Sequence, residues 1–133
     1  MAKEKIYKSE KDVKEQIKTL LKKRGWFYWM PPANGFGKVG IADLHALRAG
    51  VFLAVEAKFG KNKCSPHQKA FIQSILAEEG MAFVVSDRTI QDFETWLDAF
   101  DRAVTQTSQG KPVLEDDGAL MLNAIAKMTE LAV

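Results

Sequence analysis

The chain has 133 residues, 47% of them hydrophobic and 27% charged, with a formal net charge of +2. That length and apolar content suit one compact domain with its own core, and so small a net charge singles out no partner. The single cysteine, Cys64, excludes an internal disulfide, and neither a signal-peptide h-region nor a membrane-length apolar run is visible, so the expectation is an intracellular protein without a membrane partner.

Residues 8 to 24 carry Val13, Ile17, Leu20 and Leu21 at helical spacing, with Ser9 placed to cap the helix and Gly25 to end it. Glu10 shares the apolar stripe, whereas Glu15 projects with Lys18 and Lys22 from the polar side. A glutamate on such a stripe wants a partner, although the helix dipole also favours an acid in the first turn. Trp26-Phe27-Tyr28-Trp29 reads as a short aromatic strand whose side chains are expected to be buried in a sheet. The glycine-rich run from Gly35 to Gly40 lacks the spacing of a phosphate-binding P-loop and is read as a flexible lid, from which Asn34, Phe36 and Lys38 could hold a distorted strand.

The run from Gly40 to Lys58 concentrates the chemistry. Val51, Leu53 and Val55 alternate with Phe52, Ala54 and Glu56, and Ala49-Gly50 supplies a turn, so two strands form an antiparallel hairpin. Folding back brings Asp43, at the head of the first strand, toward Glu56 and Lys58 on the second. Two carboxylates in a partly buried place repel each other unless a cation or a proton intervenes. Oxygen ligands with room for water suit Mg2+, with Mn2+ as a substitute, and such an ion favours phosphoryl chemistry. The plain alternative is an acid at a strand start beside a surface Glu/Lys pair.

Ser65-Pro66-His67-Gln68 begins the next helix, with Ser65 as cap, Pro66 at the first position and Gln68 completing a capping box. A capping Gln68 is not expected to serve a functional site through the same geometry. His45 and His67 are read as polar surface or supporting residues. Met81 to Ser86 is a further core strand, and Arg88 to Ala103 a helix with Ile90, Phe93, Leu97 and Phe100 on one stripe. Residues 1 to 103 thus form the expected domain, residues 104 to 118 a linker-like segment, and residues 119 to 133 a C-terminal apolar helix that packs on the core or on a second subunit.

Charge is divided unevenly. Up to Lys69 there are 15 Lys/Arg against 6 Asp/Glu, and beyond it 4 against 11, so the parts carry +9 and −7. Lys38, Lys58, Lys61, Lys63 and Lys69 gather in sequence around the acids and would bind a polyanion such as DNA in a salt-dependent way.

Gly40-Ile41-Ala42-Asp43, Glu56-Ala57-Lys58 and Ser65-Pro66-His67-Gln68, in this order, resemble the PD-(D/E)xK nucleases and more closely their VRR-NUC branch, over about residues 10 to 86. Ala42 replaces a usual proline and Ala57 a usual β-branched residue; neither change removes a ligand. The resemblance implies an α/β fold with a restriction-endonuclease-like core, a mixed central sheet flanked by helices, plus the extra C-terminal helix. It implies a Mg2+-dependent DNA endonuclease in which Asp43, Glu56 and the carbonyl of Ala57 hold the metal and Lys58 serves the nucleophilic water. Glu10 would be the first-helix acid, with Glu15 left open, and Gln68 would hold the attacking water or a phosphate oxygen. Stand-alone members of this branch are common in bacteriophages, which implies the cytoplasm of an infected bacterium, a homodimer and branched DNA, four-way junctions first. A restriction-type or exonucleolytic enzyme, a DNA-binding module without catalysis, and an interaction protein working through its C-terminal helix are the competing readings.

Overall fold

The structure, a computed structural model, describes residues 5–32 and 39–114. Asn34, Phe36 and Lys38, most of the glycine-rich run and the helix expected over residues 119–133 lie outside the described residues.

Helix α1 spans Glu10–Lys23, with the Ser9 hydroxyl accepting the Asp12 N–H at 3.3 Å and acids in the first turn opposed by lysines in the last. Val13, Ile17, Leu20 and Leu21 form its buried stripe, as their spacing requires. Gly25 then turns the chain at φ 78°, a left-handed conformation that glycine adopts without a Cβ penalty. Strands β1 (Phe27–Trp29), β2 (Leu44–Arg48) and β3 (Val51–Ala57) form an antiparallel meander. Ala49 and Gly50, at φ 51° and 79°, make the β2–β3 turn, and both being left-handed matches the twist of a two-residue hairpin.

Helix α2 (Pro66–Ala77) carries the chain from β3 to β4 (Met81–Val85), which pairs parallel to β3. The result is a mixed four-stranded sheet in the order β1-β2-β3-β4, flanked by helices. Leu44, Ala46, Leu53, Val55, Phe83 and Val85 pack with α1 and with α3 (Ile90–Ala103), whereas Ala54, Ala82 and Val84 pack with Ile72 and Phe71 of α2. Because β3 lies inside the sheet with helices over both faces, its second half is buried on both sides, and Glu56 goes into the interior with it.

Two regions depart from the sequence reading. Phe27 is 68% exposed and Trp29 38%, while only Trp26 is fully enclosed, because β1 is an edge strand and α2 packs over β3 and β4. Nor is the segment after Ala103 a bare linker as far as it is described. Val104–Gln106 (β5) and Pro112–Leu114 (β6) pair as an antiparallel hairpin, and Val104 and Leu114 pack against the main core. Backbone pairing around the Gly110 turn and two apolar anchors offset the polar composition that suggested a linker.

Phe83 is fully buried on β4 in edge contact with Phe93 and Trp96. Phe83→Ala is expected to cost about 3–5 kcal/mol through lost burial and a residual cavity, read as a lower urea midpoint at unchanged slope.

Candidate functional site

The hairpin register places Leu44 opposite Val55, so Asp43, one step beyond β2, meets Glu56. The two residues are locked reciprocally. The Asp43 N–H donates to Glu56 Oε2 at 3.2 Å, and the Ala57 N–H donates to Asp43 Oδ2 at 2.9 Å. In an extended strand the carbonyl of a residue projects to the same side as its N–H, which directs the Ala57 carbonyl toward the Asp43 side of β3. Lys58 follows on the same face as Glu56, with Nζ 3.7 Å from Glu56 Oε1, and its N–H donates to the Val85 carbonyl at 2.9 Å. These groups therefore stand at the carboxyl end of the parallel pair β3 and β4, where open α/β sheets bind their ligands.

Glu56 is only 3% exposed, and it is the one carboxylate among the buried residues described. Burial first and the adjacent Asp43 carboxylate second push its pKa from an ordinary 4.5 up to about 8, against the pull of Lys58. Two carboxylates side by side, one of them out of water, are an arrangement that a proton or a cation relieves. Cys64, buried nearby, has its thiol pKa raised chiefly by burial, which makes it a packing residue of the α2 face.

Gln68 corrects the sequence reading. Its Oε1 accepts the Ser65 N–H at 2.9 Å and completes the capping box, while its Nε2 donates to Glu56 Oε1 at 3.0 Å. Capping and contact with the site do not exclude each other, because the two ends of one amide face opposite ways. The helix start fixes the amide, and the amide fixes the carboxylate. Gly40 makes this approach possible. At φ 82° it lies so close to the first turn of α2 that a Cβ there would stand 2.5 Å from the His67 carbonyl carbon and 2.8 Å from the Gln68 nitrogen.

Lys14 belongs to the site and was not foreseen. Its Nζ lies 3.3 Å from Asp43 Oδ1, reaching across from α1. The signal was present in the sequence, since Lys14 follows Glu10 by four residues and so shares its side of the helix. Glu10 itself is half-buried in the first turn, with no hydrogen-bond or ion-pair partner among the described residues. It does not join Asp43 and Glu56 in a three-carboxylate group, and no cluster of three His, Cys, Asp or Glu side chains suited to a metal occurs among the described residues. Glu15 pairs with Lys18 on the exposed side of α1, 2.9 Å away, away from the acids. Lys61 and Lys63 lie exposed in the loop after β3, and Lys69 is half-buried on α2.

His45 is half-buried. Its ring stacks on Phe71 at 5.7 Å and contacts Trp29 and Phe52 edge-on, its Nε2 is buried without a hydrogen-bond partner among the described residues, and burial lowers its pKa. His67, by contrast, is exposed at the start of α2.

A comparison with models of known protein families finds no match, and a comparison with curated proteins finds none either.

The donor set suits a hard cation held in part by water. It consists of oxygens, it includes one carboxylate whose ionisation the fold opposes, and Mg2+ commonly takes only one or two protein carboxylates. Since the folded state holds the Glu56 proton more tightly than the unfolded chain does, Glu56 makes stability fall as pH rises from 4.5 through about 8 and level off above. Thermal unfolding in chelator between pH 6 and 9 is expected to show this loss in the wild type and a smaller one in Glu56→Gln; parallel curves would assign the loss to other groups. Gly40→Ala should destabilise by about 2 kcal/mol or more, through overlap with the His67 carbonyl and a strained φ, measured by the same melts.

Proposed function

We propose that the chain is a metal-dependent nuclease that hydrolyses phosphodiester bonds of DNA, acting through Asp43, Glu56, Lys58 and Gln68. The observation that carries the reading is the reciprocally hydrogen-bonded pair Asp43 and Glu56, with Lys58 and Gln68 both directed at the same buried carboxylate. A site that only bound phosphate would gain nothing from two carboxylates, which repel it.

Asp43 and Glu56, with the Ala57 carbonyl, would hold a divalent cation, Mg2+ or Mn2+, which when bound neutralises phosphoryl charge and acidifies water. The chain's own residues do the remainder. The amide of Gln68 keeps the Glu56 carboxylate in one orientation. Lys58, half-buried and tied by its backbone to β4, presents an ammonium that orients the nucleophilic water and offsets charge building on the phosphate. Lys14 balances Asp43 from the other side, and Glu10, one helical turn before Lys14, would hold a water at the rim. Lys61, Lys63 and Lys69, together with Lys38, would hold the backbone of the substrate without reading bases.

The finer assignment follows the resemblance to the VRR-NUC branch of the PD-(D/E)xK nucleases: a restriction-endonuclease-like core, a homodimer, and branched DNA cut symmetrically by two sites related by a twofold axis. The same resemblance places the protein in the cytoplasm of a phage-infected bacterium. The competing reading is a DNA-binding module without catalysis.

Cleavage of end-labelled four-way junction, flap, single-stranded and linear duplex DNA with Mg2+, Mn2+ or chelator separates these readings. Asp43→Asn, Glu56→Gln and Lys58→Ala are each expected to lower the cleavage rate at least a thousandfold, on the order of 4 kcal/mol or more, while DNA binding and folding persist. Gln68→Glu should keep the helix start, since glutamate also suits the capping box, and still lose most activity by adding a third carboxylate beside Glu56 and Asp43. Binding without cutting in any metal would overturn the nuclease.

A further inference from the structure

The loop after β3 and the loop between β4 and α3 enclose a cavity of about 390 Å³ at the carboxyl ends of the two parallel strands. Lys58, Lys61, Lys63 and Arg88 line it, together with Ser86 and the buried Thr89. Lys61, Lys63 and Arg88 have no carboxylate within ion-pair distance among the described residues, whereas Arg24 and Arg48 are paired with acids of α3. The walls are fastened to each other. The Gly60 N–H of one loop donates to Asp87 Oδ1 of the other at 2.9 Å, which occupies one oxygen of that carboxylate.

The hydroxyls complete the lining. Thr89 stands at the N-cap of α3 but does not cap it; its Oγ1 accepts the Ser86 N–H at 2.9 Å, and the Ser86 Oγ accepts the Arg88 N–H at 3.1 Å. Each hydroxyl thus accepts from the backbone and retains its own hydrogen to donate. A concave site with four cations, two hydroxyl donors and a volume far beyond that of one water is built for an oxyanion larger than chloride and for a planar guanidinium to grip it.

We infer that this cavity binds one phosphate group of a nucleic-acid strand, with Arg88 as its principal contact, next to the carboxylate site through their shared Lys58. The inference rests on the proposed nuclease and extends it, placing a strand's phosphate on the β4–α3 loop, 30 residues beyond Lys58 in sequence. The phosphate is either an internal diester or a terminal monoester; both present the same oxygens to the cavity.

The test measures binding alone, in chelator, so that cleavage is irrelevant. Fluorescence anisotropy follows a labelled single-stranded oligonucleotide with a 5′-hydroxyl or a 5′-phosphate across a salt series, for wild type, Arg88→Ala, Arg88→Lys and the distant Arg102→Ala. Arg88→Ala is expected to weaken binding about tenfold and to reduce the slope of log affinity against log salt by about 0.7. Arg88→Lys should recover part of the affinity, and Arg102→Ala should match the wild type. A wild-type preference for the 5′-phosphate that vanishes in Arg88→Ala identifies a terminal monoester, and equal losses with both oligonucleotides an internal diester. Equal affinities and slopes for Arg88→Ala and Arg102→Ala would overturn the subsite. Loss of cleavage chemistry would leave this result untouched, so the two proposals fail separately.

Discussion

A carboxylate removed from water beside a second carboxylate is the constraint on which the arrangement turns. Glu56 lies in the central strand of a sheet covered on both faces, where a charge is tolerated only if its environment is organised around it. The surroundings fulfil that condition with backbone and side-chain donors together: the Asp43 N–H on one oxygen, the Gln68 amide on the other, and Lys58 close by. Even so, burial and Asp43 outweigh these donors and keep the proton on until about pH 8. A cation in place of that proton would relieve the same repulsion. Apolar packing of the same strand would avoid that conflict, and the departure from it singles this pair out as the candidate functional site.

The elements around this group are arranged as its supports. Gly40 lets the chain before Asp43 pass against the first turn of α2, closer than any side chain would permit. That contact seats Gln68, whose amide is clamped at its oxygen by the helix start and free at its nitrogen for Glu56. From the other face α1 sends Lys14 to Asp43. One hairpin and two helices therefore converge on a few atoms, and a shift in any of them changes the electrostatics of the same carboxylate.

The split of charge along the chain takes on a different meaning in three dimensions. Arg24 lies within 4.0 Å of Glu94, Asp98 and Asp101, and Arg48 pairs with Asp101, so three acids of the second part are spent against arginines of the first. That interface ties α3 to the end of α1 and to β2. Among the described residues Lys61 and Lys63, in the loop after β3, and Arg88, from the acidic part, make no such pair. Positive charge is thus left beside the carboxylate site while the two arginines at the α3 interface are matched by acids.

The hydrophobic pattern of the sequence determined α1, the β2–β3 hairpin, β4 and α3 to within a residue or two, because the helices have one apolar stripe, the hairpin a two-residue alternation and β4 a short unbroken apolar run. The hairpin alone also sufficed to bring Asp43, Glu56 and Lys58 together, since antiparallel register follows from a two-residue turn. Tertiary structure decided what local pattern does not encode. Lys14 and Gln68 come to the site by packing between elements distant in sequence, the exposure of Phe27 and Trp29 follows from which strands α2 covers, and the pairing of residues 104–106 with 112–114 rests on anchors in the core. The burial of Glu56, and with it the shifted pKa, depends on helices lying over both faces of the sheet, and no residue near it in sequence carries that information.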